Sequence, residues 1–144
     1  MLSEKLIKIF KHKNILITGG TGMIGRQIVD ILCEAGAYVK SVSLEKMVIN
    51  KKAKYIYGDL SDFEFCKKIT RDMDFLFHIA GIKGSLEVTK AKPASFFVPL
   101  LMMNTNILEA SRINRVHKIV YTSSIGAYAS AEVFKENKNL QGTP

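Results

Sequence analysis

The sequence predicts an α/β protein built on a doubly wound parallel β-sheet, and three observations support this fold class. Short β-rich segments alternate with longer helical segments along the chain. Residues Asn14 to Thr18 are apolar on both faces, as in a strand buried within a parallel sheet. A glycine-rich turn then joins this strand to an amphipathic segment. Right-handed βαβ connections with the strand order 3-2-1-4-5 are the natural arrangement for such a pattern.

The elements of the first half each have a local signal. Leu2, Leu6 and Ile9 recur at helical spacing and predict a short N-terminal helix. After the first strand, residues 23–35 predict a helix that ends at Gly36. Its buried face is expected to contain Ile24, Ile28, Ile31 and Leu32. The second, third and fourth strands are predicted at residues 37–44, 53–58 and 74–81.

Two helices and one strand complete the predicted pattern. Ser61, followed by Glu64, has the capping-box signature of a helix N-terminus. Residues 93–114 are predicted to be mainly helical, and Pro99 is expected to break or kink the early part. Residues 117–124 predict the fifth strand. Ligands of such sheets bind at the carboxyl ends of the strands, so we expect a crevice between the first and fourth strands.

Composition narrows the class of protein and its partners. The chain has 144 residues, a hydrophobic content of 47% and no apolar run of membrane-spanning length, so a membrane partner is not expected. The net charge of +8 comes from scattered lysines that do not alternate with aromatic residues, which favours a solvated surface over a nucleic-acid site. Cys33 and Cys66 are too few for a disulfide scaffold, and we expect buried free thiols in a reducing cytoplasm.

The glycines after the first strand form the most informative motif. Gly20, Gly22 and Gly25 satisfy G-x-G-x-x-G, and Gly19, Gly22 and Gly25 satisfy G-x-x-G-x-x-G. Such glycines permit a positive φ, close approach of a pyrophosphate and tight packing of helix on sheet. The helix that follows would offer its N-terminal N–H groups to the phosphates. The alternative is a tight βα turn that binds no ligand.

Four stretches in order resemble one family. "TGGTGMIG" is similar to the T-G-G-x-G-[FY]-I-G motif of the extended short-chain dehydrogenase/reductases. More narrowly, it resembles the NAD-dependent epimerase/dehydratase family, which acts on nucleotide sugars. "GDL" at residues 58–60, "HIAGIKGS" at 78–85 and "YTSSIGAYA" at 121–129 resemble that family's segments after the third, fourth and fifth strands. The resemblance implies a Rossmann fold.

The resemblance also implies roles for particular residues. The pyrophosphate would be held by Gly19, Gly22, Met23, Ile24 and Gly25. The adenine would be flanked by Asp59 and Leu60, and the nicotinamide side would be bordered by Ile79, Ala80, Gly81, Ile82 and Lys83. Ser124 falls on the family's catalytic Ser/Thr, which hydrogen-bonds the reacting sugar oxygen.

Simpler alternatives exist for several of these residues. Asp59 could be a turn residue, Lys83 a solvated loop charge and Ser124 an ordinary hydroxyl at a strand end. His78 is expected to be a satisfied core residue rather than a catalyst or a metal ligand. We expect no metal, because no second His, Cys or carboxylate lies at metal-ligand spacing near it.

Two departures from the family pattern leave questions open. Where NAD-preferring members carry an acid after the second strand, this chain has Ser43, with Glu45 two residues later. Glu45 could bind the ribose of NAD, whereas Lys40 or Lys46 could pair with the 2′-phosphate of NADP. NAD is favoured by family frequency. The asparagine of the family's N-x-x-G-T falls at Leu100, and Asn104, one helical turn later, could replace it.

A third departure concerns catalysis. The family transfers protons with a Y-x-x-x-K pair, which does not occur after Tyr128. We therefore expect residues 1–144 to be an incomplete NAD(P)-binding domain, truncated after about five strands. A fragment, a truncated reading frame or half of a split protein would explain this. Its partner would be a complementing C-terminal polypeptide or a second copy in a homodimer.

Three functional hypotheses follow. The leading one is the NAD(P)-binding part of a nucleotide-sugar epimerase or dehydratase that works by transient hydride transfer to the nicotinamide. The second is a non-catalytic NAD(P)-binding or interaction module. The third is a reductase of another small carbonyl substrate, because the cofactor-binding half says little about the substrate.

Overall fold

Five parallel strands form one sheet in the order β3-β2-β1-β4-β5, which confirms the predicted fold class and strand order. The computed structural model describes residues 3–82 and 86–123. The strands within these residues are β1 (Asn14–Thr18), β2 (Tyr38–Ser43), β3 (Lys54–Tyr57), β4 (Phe75–His78) and β5 (Lys118–Tyr121).

The helices are α1 (Glu4–Phe10), α2 (Met23–Glu34), α3 (Phe63–Thr70), α4 (Leu86–Ala91) and α5 (Pro93–Ile113). Helix α4 was not predicted. Helix α5 runs through Pro99 as one element, so the predicted break is not observed. A proline removes one backbone hydrogen bond. The later turns of α5 bury Ile107 and Ala110 completely, and this packing stabilises the helix beyond the proline. No helix in the described part of the chain is long and apolar enough to cross a membrane.

Two apolar clusters cover the two faces of the sheet, because successive residues of β1 alternate between them. Leu16 lies in one cluster with Leu76 of β4 and Ile107 of α5. Ile15 and Ile17 lie in the other cluster, against α1 and α2. This arrangement confirms that helices lie on both faces of the sheet. Cys33 and Cys66 are buried free thiols, as predicted, and one lies in each cluster.

The buried face of α2 differs from the predicted one. Leu32 is buried and Ile28 packs against the core, as predicted, but Ile24 and Ile31 are 54% and 41% exposed. Gly25 and Val29 are buried in their place. A Cβ atom on Gly25 would overlap the carbonyl of Gly19. The close approach therefore requires the smallest residue of the helix to face the glycine turn, and this requirement sets the rotation of α2. The predicted end of the helix is confirmed, since Gly36 follows it with φ +79°.

The predicted capping box of α3 is wrong. The N-cap is Asp62, whose side chain accepts a hydrogen bond from Phe65 N at 3.1 Å. Ser61 N instead donates to Asp59 Oδ1 at 2.8 Å. Because Ser61 N is bonded within this Asx-type turn, the N-cap of α3 is one residue later than predicted.

Candidate functional site

A cavity of about 460 Å³ lies at the carboxyl edge of the sheet, where the loops after β1, β2, β3 and β4 meet α5. Parallel pairing brings these strand ends together, with Thr18 opposite both Val42 and His78. The residues lining the cavity are Gly19, Thr21, Gly22, Val42, Ser43, Leu44, Glu45, Gly58, Asp59, Leu60, Ser61, Ile79, Ala80, Gly81, Ile82, Pro99 and Met103. Eight of the predicted site residues are among them.

The turn after β1 is shaped by Gly19, which has a φ of +70°. Its N–H donates to Val42 O at 2.8 Å, and its carbonyl accepts from Gly22 N at 3.0 Å. A Cβ atom on Gly19 would lie 2.8 Å from the backbone N and Cα of Ala80. The loops after β1 and β4 therefore touch backbone to backbone, which only glycine allows.

Gly22 is the N-cap of α2 and makes no side-chain cap. The first N–H groups of a helix have no intrahelical partners, and the helix dipole makes this end positive. Because Gly22 lines the cavity, the positive end of α2 faces it. The cavity thus contains an N-terminus suited to an anion.

The other residues predicted to hold the pyrophosphate do not line the cavity. Met23 is 74% exposed at the start of α2, followed by Ile24. Gly25 packs against the Gly19 carbonyl. Gly20 has a comparable packing role, because a Cβ atom there would overlap the Ser41 hydroxyl. The turn therefore contains two kinds of glycine, those that line the cavity and those that permit packing.

The loops after β2 and β3 form a wall with acidic side chains. The Ser43 hydroxyl donates to the backbone carbonyl of Glu45 at 2.8 Å, which shapes the first loop. Asp59 is exposed, and its Oδ1 accepts from Ser61 N, so the turn role considered for Asp59 is present. Among the described residues that line the cavity, the charged side chains are Glu45 and Asp59, both acids. Lys40 and Lys46 are not among the lining residues.

The segment after β4 forms the opposite wall. Ile79 N donates to Thr18 O at 3.2 Å, and Ala80 N donates to Thr18 Oγ1 at 3.3 Å. A Cβ atom on Gly81 would meet no described atom within 4 Å, so the space above this glycine is open. The predicted residues Lys83 and Ser124, and also Tyr128, lie outside the described residues.

His78 is fully buried and has partners on both ring nitrogens, which confirms its predicted role as a satisfied core residue. Its Nδ1 lies 2.6 Å from Thr18 Oγ1, and its Nε2 lies 2.9 Å from Asn104 Oδ1. An amide oxygen only accepts, so Nε2 carries the proton and the Thr18 hydroxyl donates to Nδ1. Burial lowers the pKa of His78, and the hydrogen bond to Asn104 opposes that shift.

Asn104 extends this network from α5 to the edge strand. Its Nδ2 donates to the Tyr121 hydroxyl at 2.9 Å, and the Tyr121 ring lies 5.4 Å from the His78 ring. The asparagine therefore ties the ends of β4 and β5 together, just below the cavity.

Pro99 and Met103 of the same helix line the cavity, and the sequence reasoning missed both. Their i, i+4 spacing on a crossover helix was the signal that could have found them.

A parallel sheet with a glycine turn, a helix N-terminus and a cleft at its carboxyl edge defines the class of dinucleotide-binding α/β proteins with a Rossmann fold. The sequence profile of the NAD dependent epimerase/dehydratase family matches residues 15–144. The chain therefore belongs to that family, as its four motifs predict.

Individual relatives span several activities. The chain is 30% identical over 138 residues to the bifunctional protein GAL10 of Kluyveromyces lactis, covering 87% of this chain and 20% of that protein. It is 29% identical over 115 residues to a 3 beta-hydroxysteroid dehydrogenase/Delta 5-->4-isomerase of Mycobacterium tuberculosis, covering 76% and 31%. A solved UDP-N-acetylglucosamine 4-epimerase from Methanobrevibacter ruminantium is 29% identical with a TM-score of 0.76, covering 90% and 44%. The chain thus spans less than half the length of each.

Proposed function

We propose that this chain is the NAD-binding part of a nucleotide-sugar epimerase or dehydratase. The observation that carries the proposal is the cavity at the carboxyl edge, which joins the glycine turn, the acidic wall and the segment after β4. Bound NAD would supply a nicotinamide that takes up a hydride and returns it. The family match and the nucleotide-sugar epimerase among the relatives support the substrate class.

The residues fit a dinucleotide that lies along the carboxyl edge with its adenosine near the end of β3 and its nicotinamide near the end of β4. The pyrophosphate would lie over Gly19 and Gly22, where α2 begins, with further N–H groups from Met23, Ile24 and Gly25. The adenosine would lie against Asp59 and Leu60. The nicotinamide side would be bordered by Ile79 to Ile82 and by Lys83. Gly22 leaves room for this approach, because among the described atoms a Cβ atom there would meet only the Gly19 carbonyl, at 3.3 Å.

The charge of the lining supports NAD over NADP. A ribose diol can donate hydrogen bonds to the carboxylate of Glu45 or Asp59. The 2′-phosphate of NADP would instead meet two acids, with no lysine or arginine among the described lining residues. We therefore expect NAD to bind more tightly than NADP.

This chain would bind the cofactor and contact the sugar, and the proton transfer would come from residues other than these 144. Ser124 would hydrogen-bond the reacting sugar oxygen. No tyrosine in the 144 residues is followed by a lysine four positions later. The chain would thus bind and orient the cofactor but would not turn over a sugar nucleotide unaided. We place it in the cytoplasm, where buried free thiols such as Cys33 and Cys66 persist.

The test is a calorimetric titration of the 144-residue chain with NAD⁺ and with NADP⁺. Saturable binding that favours NAD⁺ by about tenfold or more, the value of one good charge-assisted contact, is the expected result. A Glu45→Gln, Asp59→Asn double variant should reduce the preference for NAD⁺ over NADP⁺, since it removes both carboxylates. Equal binding of the two cofactors would contradict the assigned role of the acidic wall. No binding by a folded chain would contradict the proposal itself.

A second candidate is a dehydrogenase or reductase of another alcohol or carbonyl compound. The mycobacterial steroid dehydrogenase among the relatives favours it. A third is a non-catalytic NAD-binding module, for which the residues that line the cavity would suffice. Co-purification of the native chain, followed by two assays of the assembly, separates these candidates. Conversion of UDP-sugars to epimerised or dehydrated products supports the leading proposal, because the hydride is returned and no NADH accumulates. NADH fluorescence with hydroxysteroids supports the dehydrogenase, and a stable assembly that shows neither activity would favour the module.

A further inference from the structure

Asn106 of α5 makes a double contact with the loop that precedes α3. Its Nδ2 donates to the backbone carbonyl of Leu60 at 3.1 Å and to that of Ser61 at 2.8 Å. The side chain is half-buried and does not line the cavity. The hydrogen bonds span 45 and 46 residues of sequence, so they fasten one wall of the cavity to a distant helix.

The fastened loop also holds Asp59 in one orientation. Asp59 Oδ1 accepts from Ser61 N at 2.8 Å, and Asp59 O accepts from Asp62 N at 3.2 Å. Leu60 is buried in the core, and its carbonyl also accepts from Cys66 Sγ at 3.3 Å. Asp59 Oδ2 makes no hydrogen bond to the described residues. The turn therefore leaves one carboxylate oxygen available at the cavity while the surrounding backbone is restrained.

We propose that Asn106 is a positioning residue, which fixes the Asp59 carboxylate to accept a hydrogen bond from the 6-amino group of adenine. The inference rests on the proposed function, which places the adenosine at Asp59. Asn106 acts through the carbonyls of Leu60 and Ser61 and does not touch the ligand. Without it, the loop keeps the Asx-type turn and the burial of Leu60 but loses both of the hydrogen bonds that Asn106 donates to it.

Asn114 provides a matched comparison within the same pair of helices. Its Nδ2 donates to Lys67 O and to Thr70 Oγ1, each at 2.8 Å. Both asparagines thus tie α5 to α3 or its preceding loop by two hydrogen bonds. Asn114 does so at the far end of α3, whose eight residues span about 12 Å. A purely structural role predicts similar effects for both residues, whereas a positioning role predicts a ligand effect for Asn106 alone.

The test compares NAD⁺ with its 1,N⁶-etheno analogue, in which the 6-amino group is tied into a ring and cannot donate. The wild-type chain should bind NAD⁺ about tenfold more tightly, the value of one hydrogen bond to a charged group. Asp59→Ala should abolish this preference, and Asn106→Ala should reduce it to about twofold. Asn114→Ala should retain the wild-type preference. The measured quantity is a ratio of two dissociation constants, so a partly unfolded variant lowers both affinities equally.

Asn106→Gln retains an amide donor and should recover much of the preference that Asn106→Ala loses. A full tenfold preference in Asn106→Ala would overturn the inference, as would an equal loss of preference in Asn114→Ala. A wild-type chain that binds both dinucleotides equally would also overturn it, while leaving the proposed function in place. A folded wild-type chain that binds neither would overturn the proposed function, and the inference with it.

Discussion

Two alanine substitutions in the glycine turn separate what the fold requires from what the ligand requires. Gly19→Ala places a Cβ atom at a φ of +70°, which costs about 1–2 kcal/mol for an L-residue. The same atom would lie 2.8 Å from the backbone N and Cα of Ala80. A backbone cannot yield as a flexible side chain does, and overpacking of this kind costs about 1–3 kcal/mol. We therefore expect a loss of about 2–5 kcal/mol in the free energy of unfolding.

Gly22→Ala is the contrasting substitution in the same turn. Gly22 has an ordinary φ of −71°, and its nearest described contact to a new Cβ atom is the Gly19 carbonyl at 3.3 Å. Alanine is a poorer N-cap than glycine, so we expect a loss of less than about 1 kcal/mol in unfolding free energy. Its methyl group would instead fill the approach to the pyrophosphate and weaken NAD⁺ binding at least about tenfold.

Urea denaturation followed by circular dichroism gives the unfolding free energies, and calorimetry gives the affinities. A Gly19→Ala variant within 0.5 kcal/mol of wild type, about the size of an ordinary surface substitution, would refute the account of the turn. A Gly22→Ala variant that is stable and binds NAD⁺ as wild type does would refute the position assigned to the pyrophosphate.

Three further predictions concern buried polar groups. Burial lowers the pKa of His78, so the unfolded state binds the proton more tightly and stability should fall as pH drops below about 6.5. Urea denaturation at several pH values should show this dependence, and a His78→Gln variant should lose it. Ser41→Ala removes a buried hydroxyl that has no partner among the described residues, and should raise the unfolding free energy by up to about 1 kcal/mol. A loss of more than 1 kcal/mol, the value of a typical hydrogen bond, would show that the hydroxyl is bonded. Thr18→Val leaves His78 Nδ1 and Ala80 N without their partner and should cost about 1–3 kcal/mol in chemical denaturation. Thr18→Ser, which keeps the hydroxyl, should cost less, and equal losses would contradict the network.

The strand order could be predicted because it depends on local patterns and on handedness. The apolar run Asn14–Thr18 marks a buried central strand, and right-handed crossovers leave few topologies for the segments that follow it. The glycine turn could be predicted because its conformation is a property of adjacent residues, as the φ of Gly19 shows. The motifs "GDL" and "HIAGIKGS" then predicted that the ends of β3 and β4 lie at the cavity.

Contacts between distant segments could not be predicted. The hydrogen bonds from Thr18 to His78 and from Asn106 to Ser61 join residues 60 and 45 positions apart, and no local pattern marks them. The capping box failed because Asp59 Oδ1 accepts the hydrogen bond from Ser61 N that the side chain of Glu64 would accept in a capping box. The buried face of α2 was predicted only in part, because apolar size suggested Ile24, whereas close approach to the turn requires Gly25.

The central claim is that the cleft at the carboxyl edge binds NAD, and ¹H–¹⁵N NMR during an NAD⁺ titration tests it most directly. We expect saturable shifts at Gly19, Gly22, Asp59 and Gly81, with unchanged signals at Lys13, which precedes β1 at the opposite edge. Saturable shifts centred on that opposite edge, or a folded spectrum that NAD⁺ does not change, would contradict the claim.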